Sequence, residues 1–130
     1  MGLLKMDPFI GTSLVNMYAK CGDTYDASRL FNMLSFKDVV TWGAMIACYA
    51  RHGHGLAAIG LFLQMQDEGM SSNNVVFSSV LIACASIRAI EDGWLFHSQI
   101  IEAGVEEDLV IIGSLVDMYA KCGKLEDAQT

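Results

Sequence analysis

The sequence is poor in the residues that mark several common protein classes. Proline occurs once, and only 18% of the 130 residues are charged, with eight Lys and Arg against fifteen Asp and Glu. The net charge of −7 argues against a protein that coats nucleic acid generally, because such proteins need clustered cations to neutralise phosphates. The 53% of apolar residues is enough for a substantial core, so we expect a folded chain.

Disulfide, membrane and targeting signals are equally scarce. The four cysteines, at positions 21, 48, 84 and 122, form no C-x-x-C pair, which favours a reducing compartment. Apolar stretches such as 75–85 and 109–116 are interrupted by Ser or Gly and fall short of the roughly 20 residues of a membrane span. Residues 1–7 lack the features of a signal peptide or an organellar presequence. We therefore predict no membrane partner.

The sequence also lacks the short motifs of common enzymes. It contains no G-x-x-x-x-G-K, G-x-G-x-x-G or G-x-S-x-G pattern. His52 and His54 are followed by no carboxylate or Cys at metal-ligand spacing, and His97 lies on an apolar helix face. We predict a protein that is not an enzyme and uses no cofactor, metal or small-molecule substrate.

What the sequence does contain is internal repetition. Residues 13–22 and 114–123 are identical at nine of ten positions, and weaker copies begin at Ala44 and Ser79. The four copies are spaced by 31, 35 and 35 residues. A regular spacing in this range indicates a stacked repeat array.

Each copy predicts a pair of helices. In the first copy, apolar residues recur at helical spacing up to Gly22, which suits a left-handed helix end, and Asp23 suits the N-cap of a second helix. Later helices are predicted at 39–52, 56–68, 75–86 and 89–103. A small residue recurs in every second helix, where we expect it to mark the contact between the two helices of one hairpin: Ala27, Ala58, Gly93 and Ala128. One hairpin cannot bury both of its apolar faces, so the pairs must stack into an all-α solenoid, expected to be right-handed.

The repeats resemble the pentatricopeptide repeats of the plant PLS subclass. The resemblance rests on residues 117–123 and 16–22 for the short motif, 38–46 for the standard motif, and 77–85 with Gly93 for the long motif. It divides the chain into a remnant at 1–7, a short motif at 8–38, a standard motif at 39–73, a long motif at 74–108 and an incomplete short motif at 109–130. The tetratricopeptide repeat fits less well, because its small position falls on bulky residues such as Val15 and Ile46.

This resemblance implies which residues contact RNA. In similar proteins, one base per repeat is recognised by the fifth and last motif residues. These are Thr12 with Asp38, Gly43 with Asn73, Ser78 with Asp108, and an unpaired Gly113. Thr12 with Asp38 suits guanine, whereas Gly43 offers its base no side chain. Apolar second residues are expected to sandwich bases: Phe9, Val40, Val75 and Val110. Basic residues near the phosphates are Lys20, Arg51 and Lys121, with Ser86 interrupting the series.

The function implied by the resemblance is sequence-selective binding of single-stranded organellar RNA. The chain would act as an adaptor in RNA editing or processing in the mitochondrion or chloroplast, alongside other editing or processing proteins. Two alternatives remain open: a solenoid that binds a peptide or helix of a partner protein, and a truncated product without useful affinity. Because apolar faces meant for neighbouring repeats would be exposed, we also expect sticky ends and marginal solubility.

Overall fold

The computed structural model describes the backbone of residues 8–129 and the side chains of residues 9–123. All regular structure in this part of the chain is helical, as the repeat pattern predicts. The helices are α1 (Pro8–Lys20), α2 (Thr24–Met33), α3 (Val39–Arg51), α4 (Gly55–Asp67), α5 (Asn74–Ile87), α6 (Ile90–Ala103) and α7 (Leu109–Gln129). The helix ranges that were predicted with bounds agree to within one or two residues, which is the usual uncertainty of a helix end.

The turn between α1 and α2 shows how the sequence sets these ends. Gly22 has a φ of 80°, a left-handed conformation that suits glycine, and so the chain turns there. The carboxylate of Asp23 then accepts a hydrogen bond of 3.0 Å from the backbone N–H of Asp26, which starts α2. Both predicted roles are confirmed.

The helices form two layers. The first helices of the four units, α1, α3, α5 and α7, pack side by side in sequence order, and each second helix packs on its own first helix and on that of the next unit. Edge-to-face aromatic contacts support this packing: Phe31 of α2 lies 5.0 Å from Trp42 of α3, and Phe62 of α4 lies 5.0 Å from Phe96 of α6. This is an α-solenoid. None of the described helices is long and apolar enough to cross a membrane.

Side chains at equivalent positions of the four motifs are buried to different extents, depending on where their unit lies in the stack. At the third position, Thr41 is fully buried, as are Val76 and Ile111, but Ile10 in α1 is 53% exposed. At the eighth position the order is reversed, because Val15 is fully buried and Val116 in α7 is 64% exposed. The third position therefore faces the preceding unit and the eighth faces the following one. The predicted exposed apolar ends are found in α1 and α7.

The recurrent small residue has a more specific role than a contact within one hairpin. Ala27, Ala58 and Gly93 are buried. A Cβ at Gly93 would lie 2.6 Å from the Sδ of Met118, which belongs to α7 and hence to the next unit. The small side chain therefore lets a second helix approach the first helix of its successor. Ala128 lies outside the residues whose side chains are described.

Helix α7 departs from the repeat design. The small residue Ala128 is predicted to lie in a second helix of the last unit, but α7 continues unbroken to Gln129. Glycine permits a left-handed turn without requiring one. In the other units a second helix of at least ten residues packs against the first helix and holds the turn.

Two glycines of α4 provide a matched test of the interface between units. A Cβ at Gly55 would lie 2.8 Å from Cγ2 of Ile87 and 3.0 Å from the backbone oxygen of Ala83, whereas a Cβ at Gly60 meets nothing within 4 Å. We predict that Gly55→Ala lowers the free energy of unfolding by about 1–3 kcal/mol through overpacking. Gly60→Ala should raise it by about 0.5–1 kcal/mol through helix propensity. Urea denaturation followed by circular dichroism measures both, and equal effects would contradict the proposed packing.

Candidate nucleic-acid interface

A cavity of about 440 Å³ opens between the starts of α1 and α3. It brings together the predicted pair of the first unit, Thr12 and Asp38, with the predicted sandwiching residues Phe9 and Val40. The full lining of this first cavity is Phe9, Thr12, Ser13, Asn16, Phe36, Asp38 and Val40. Three expected residues of the first unit and Val40 of the second therefore face one space.

A chain of hydrogen bonds through Thr41 connects the predicted pair. Asp38 is the N-cap of α3, and its Oδ1 accepts hydrogen bonds of 2.8 Å from both the backbone N–H and the hydroxyl of Thr41. The Thr41 oxygen also lies 3.0 Å from the Thr12 oxygen. Since the Thr41 proton points to Asp38, the Thr12 hydroxyl donates to Thr41. Lone pairs of Thr12 and the Oδ2 atom of Asp38 are left as acceptors.

A second cavity of about 260 Å³ adjoins the first, because Asn16 and Val40 line both. Its floor follows α3 past the small residues Gly43, Ala44 and Ala47. The complete lining is Asn16, Ala19, Lys20, Val39, Val40, Gly43, Ala44, Ala47, Cys48, Arg51, Asn73 and Val75. The predicted pair of the second unit, Gly43 and Asn73, thus shares this cavity with the second residues of two motifs.

The side chain of Asn73 is oriented by helix capping. Its Oδ1 accepts a hydrogen bond of 2.9 Å from the backbone N–H of Val76, which leaves the Nδ2 group to act as a donor. A Cβ at Gly43 would lie 3.4 Å from Cγ2 of Val76, so the floor beside Asn73 is closely packed. Asn73 is therefore the residue of this pair that has a polar group to offer.

The predicted pair of the third unit is not connected. The Ser78 hydroxyl is buried and lies 2.8 Å from the Ser114 hydroxyl of α7. The Asp108 carboxylate accepts from the backbone N–H groups of Val110 and Ile111, and its Oδ2 accepts from Asn74 at 2.9 Å. Both partners are thus engaged within the protein. Gly113 is exposed, with nothing within 4 Å of its Cβ position.

The predicted sandwiching residues are unusually exposed for apolar side chains. Val40, Val75, Val110 and Phe9 have exposed fractions between 58% and 79%. Each lies near the start of a first helix, and Phe9, Val40 and Val75 line the two cavities. Flat or branched apolar groups that recur once per unit on an exposed surface suit stacking against bases.

Positive charge on this face is concentrated in the first two units. Lys20 and Arg51 are exposed and line the second cavity together. Lys121 instead lies 3.1 Å from Asp117 one turn earlier in α7. Its charge is therefore compensated locally, and Ser86 supplies none in the third unit.

Comparisons with known proteins place these features in a family. The family model described as "PPR repeat family" matches residues 37–86, and the model described as "PPR repeat" matches 12–39 and 110–130. The chain belongs to the pentatricopeptide repeat family. Among curated relatives, it is 42% identical to the Arabidopsis thaliana pentatricopeptide repeat-containing protein At4g18520, chloroplastic, over 97% of this chain and 20% of that protein. It is 45% identical to CRR2, chloroplastic, from the same organism, over 93% and 19%.

A third Arabidopsis thaliana pentatricopeptide repeat relative, At3g09040, mitochondrial, is 41% identical over 93% of this chain and 12% of that protein. The chain thus spans about a fifth or less of the length of these relatives. The crystal structure of the pentatricopeptide repeat protein PPR10 from maize matches with a TM-score of 0.74 at 21% identity, over 95% of this chain and 18% of that one. This likeness supports the fold.

Sequence reasoning missed two residues of this pentatricopeptide face. Thr41 connects the first pair, and Asn16 lies at the junction of the two cavities. A signal existed for Asn16, because it is the one mismatch between the two near-identical copies, opposite Asp117. For Thr41 the sequence offered only its place three residues after a capping aspartate.

Two histidines and one cysteine of this pentatricopeptide chain are held in structural roles by hydrogen bonds or by burial. His52 Nδ1 lies 2.7 Å from the Cys48 carbonyl oxygen, and His97 Nδ1 lies 2.7 Å from the Tyr119 hydroxyl. Burial raises the pKa of the Cys84 thiol to about 12, so it remains protonated at neutral pH. Within the described residues, no group of three or more His, Cys, Asp or Glu is placed to hold a metal ion.

Capping by Asp108 makes the free energy of unfolding depend on pH in a predictable direction. The hydrogen bond from the Ile111 backbone N–H, helped by those from Asn74 and Val110, holds the pKa of Asp108 below its usual 3.8. A lowered pKa stabilises the folded state above the unfolded-state value, and this contribution is lost as pH falls through the folded-state value. We predict that Asp108→Asn is less stable than the parent at about pH 6, and that the difference shrinks below about pH 3.8. Urea titrations at several pH values measure this, and a pH-independent difference would contradict it.

Proposed function

We propose that this chain is the RNA-binding segment of an organellar pentatricopeptide protein of the PLS subclass. It would act as a sequence-selective adaptor in the editing or processing of single-stranded RNA. The observation that carries the proposal is the first cavity, where the Thr12 and Asp38 pair faces the same space as two exposed apolar side chains. Relatives named as chloroplastic and mitochondrial support an organellar location.

The polar atoms of the first cavity favour guanine. Thr12 and the Oδ2 atom of Asp38 are left as two neighbouring acceptors, because their remaining capacity is used by Thr41. Guanine presents two adjacent donors, the ring N1–H and the exocyclic N2–H₂, whereas adenine and cytosine present a donor beside an acceptor. Two acceptors therefore complement guanine and leave the other bases with an unsatisfied group.

The surroundings of this pair suit an unpaired base. Phe9 and Val40 line the same cavity and are exposed, so a base entering it would be held between apolar surfaces of adjacent units. Lys20 and Arg51 lie along the adjoining cavity, where they would attract the phosphate backbone. A net charge of −7 limits nonspecific binding but leaves this local attraction intact.

The remaining units would contribute less selectivity. In the second unit, Asn73 offers donors to a base above Gly43. In the third, the Ser78 hydroxyl is buried against Ser114, and both oxygens of Asp108 already accept hydrogen bonds within the protein. We propose that recognition is strongest at the first unit and weakens along the chain.

The variant Asp38→Asn tests base recognition. The carboxamide of this variant would keep an oxygen for capping Thr41 but present an amine in place of the free carboxylate oxygen, so one acceptor becomes a donor. We predict that the guanine preference falls by about tenfold or more and that adenine and cytosine, which each present a donor beside an acceptor, gain affinity relative to guanine. Fluorescence anisotropy at low salt, with labelled oligouridylates carrying one G, A or C, measures the preference.

Asp23→Asn is the matched control, because Asp23 caps α2 in the same way but does not line either cavity. It should leave base preference unchanged. An unchanged guanine preference in Asp38→Asn would refute the assignment of this pair. If no RNA binds even at low salt, RNA binding itself is wrong, and the face would suit a protein ligand.

The backbone contribution has its own test. We predict that Lys20→Gln weakens binding to all sequences alike and reduces the slope of log affinity against log salt by about 0.7. Arg29→Gln, in the second helix α2, should leave the slope unchanged. Anisotropy titrations across a salt series provide the measurement, and similar effects of the two variants would contradict a localised basic track.

A further inference from the structure

Asn16 occupies the junction between the two cavities and has no assigned role. It is half-buried in α1 and lines both spaces. None of the hydrogen bonds between described residues uses its side-chain amide. A polar group at this place is therefore available to a ligand.

The spacing of polar residues along α1 matches the order of groups in a nucleotide. Thr12, Asn16 and Lys20 follow one another at intervals of four residues, which is about 6 Å per step along a helix. In the proposed function, Thr12 faces the base and Lys20 faces the phosphate. The ribose joins base to phosphate. Asn16 lies between Thr12 and Lys20 along α1, and so it would lie beside the ribose.

The chemistry of a carboxamide suits the group that distinguishes RNA from DNA. The ribose 2′-hydroxyl both donates and accepts a hydrogen bond, and the Asn16 side chain offers a donor and an acceptor. At the equivalent positions of the second and third units, Ala47 and Ile82 offer neither. In the fourth unit, Asp117 is engaged by Lys121 at 3.1 Å.

We propose that Asn16 hydrogen-bonds the ribose 2′-hydroxyl of the nucleotide whose base faces Thr12 and Asp38. This proposal rests on the proposed RNA binding. It makes Asn16 the residue that selects RNA over DNA, and it restricts that selection to one nucleotide of the bound strand. The base preference set by Thr12 and Asp38 is a separate property.

The test is a position-by-position scan with 2′-deoxynucleotides. The probe is a fluorescein-labelled oligouridylate with one guanosine, which fixes the register, and a series in which one sugar at a time is 2′-deoxy. With the 130-residue chain at low salt, we expect one position to lower affinity about two- to tenfold, as the loss of one hydrogen bond does. The other positions should have little effect.

The variant Asn16→Ala completes a double-mutant cycle with the deoxy substitution. It should weaken binding to the all-ribose probe by the same factor and be insensitive to the deoxy substitution at that position, so that the two changes are not additive. Asn32→Ala, exposed on α2, is the matched control and should retain the full deoxy effect. Circular dichroism establishes that both variants are folded.

The outcomes separate this inference from the proposed function. An Asn16→Ala protein that keeps the deoxy effect, or a scan in which no single sugar matters, overturns the role of Asn16 while RNA binding stands. A change of base preference in Asn16→Ala also overturns it, because Asn16 would then contact a base. Absence of binding to any probe by the parent chain overturns the proposed function and the inference with it.

Discussion

Packing of first helices against one another determines the rest of this structure. A single helical hairpin has two apolar faces and only one partner helix, so each unit must bury its remaining face on a neighbour. Val15 and Thr41 are completely buried by this stacking, whereas Ile10 and Val116, at equivalent motif positions, are largely exposed at the ends of the stack. Stacking also aligns the starts of α1, α3, α5 and α7 along one face, and both candidate cavities lie there.

Helix capping and the proposed base recognition use the same residues in this chain. Asp38, Asn73 and Asp108 each accept backbone N–H groups at the start of a first helix. Capping holds one oxygen in a known orientation and thereby decides which atom remains for a ligand. The remaining atom of a carboxylate is then an acceptor, and the remaining atom of a carboxamide is a donor. The capping interaction therefore also determines whether a ligand meets a hydrogen-bond acceptor or a donor.

Much of the architecture was predictable because it depends on local and periodic features. Gly22 and Asp23 mark a helix end and a helix start by their own chemistry, and the repeat spacing shows where equivalent faces recur. The link from Thr12 through Thr41 to Asp38 was not predictable, because it requires the register of two stacked units. The pairing of Ser78 with Ser114 has the same origin. The continuation of α7 through Gly123 was also not predictable. A glycine permits a turn, but whether the turn forms depends on which helix packs nearby.

The hydroxyl of Thr41 has a consequence for how specificity can change. Thr41 belongs to the second unit, yet it hydrogen-bonds both proposed recognition residues of the first. The same motif position holds Val76 and Ile111 in the following units, where no such link can form. Moving Thr12 and Asp38 into another repeat would therefore not transfer their preference intact. Under the proposed function, such a transfer requires substitutions in two neighbouring repeats, because Thr41 of the second unit contacts both residues of the first.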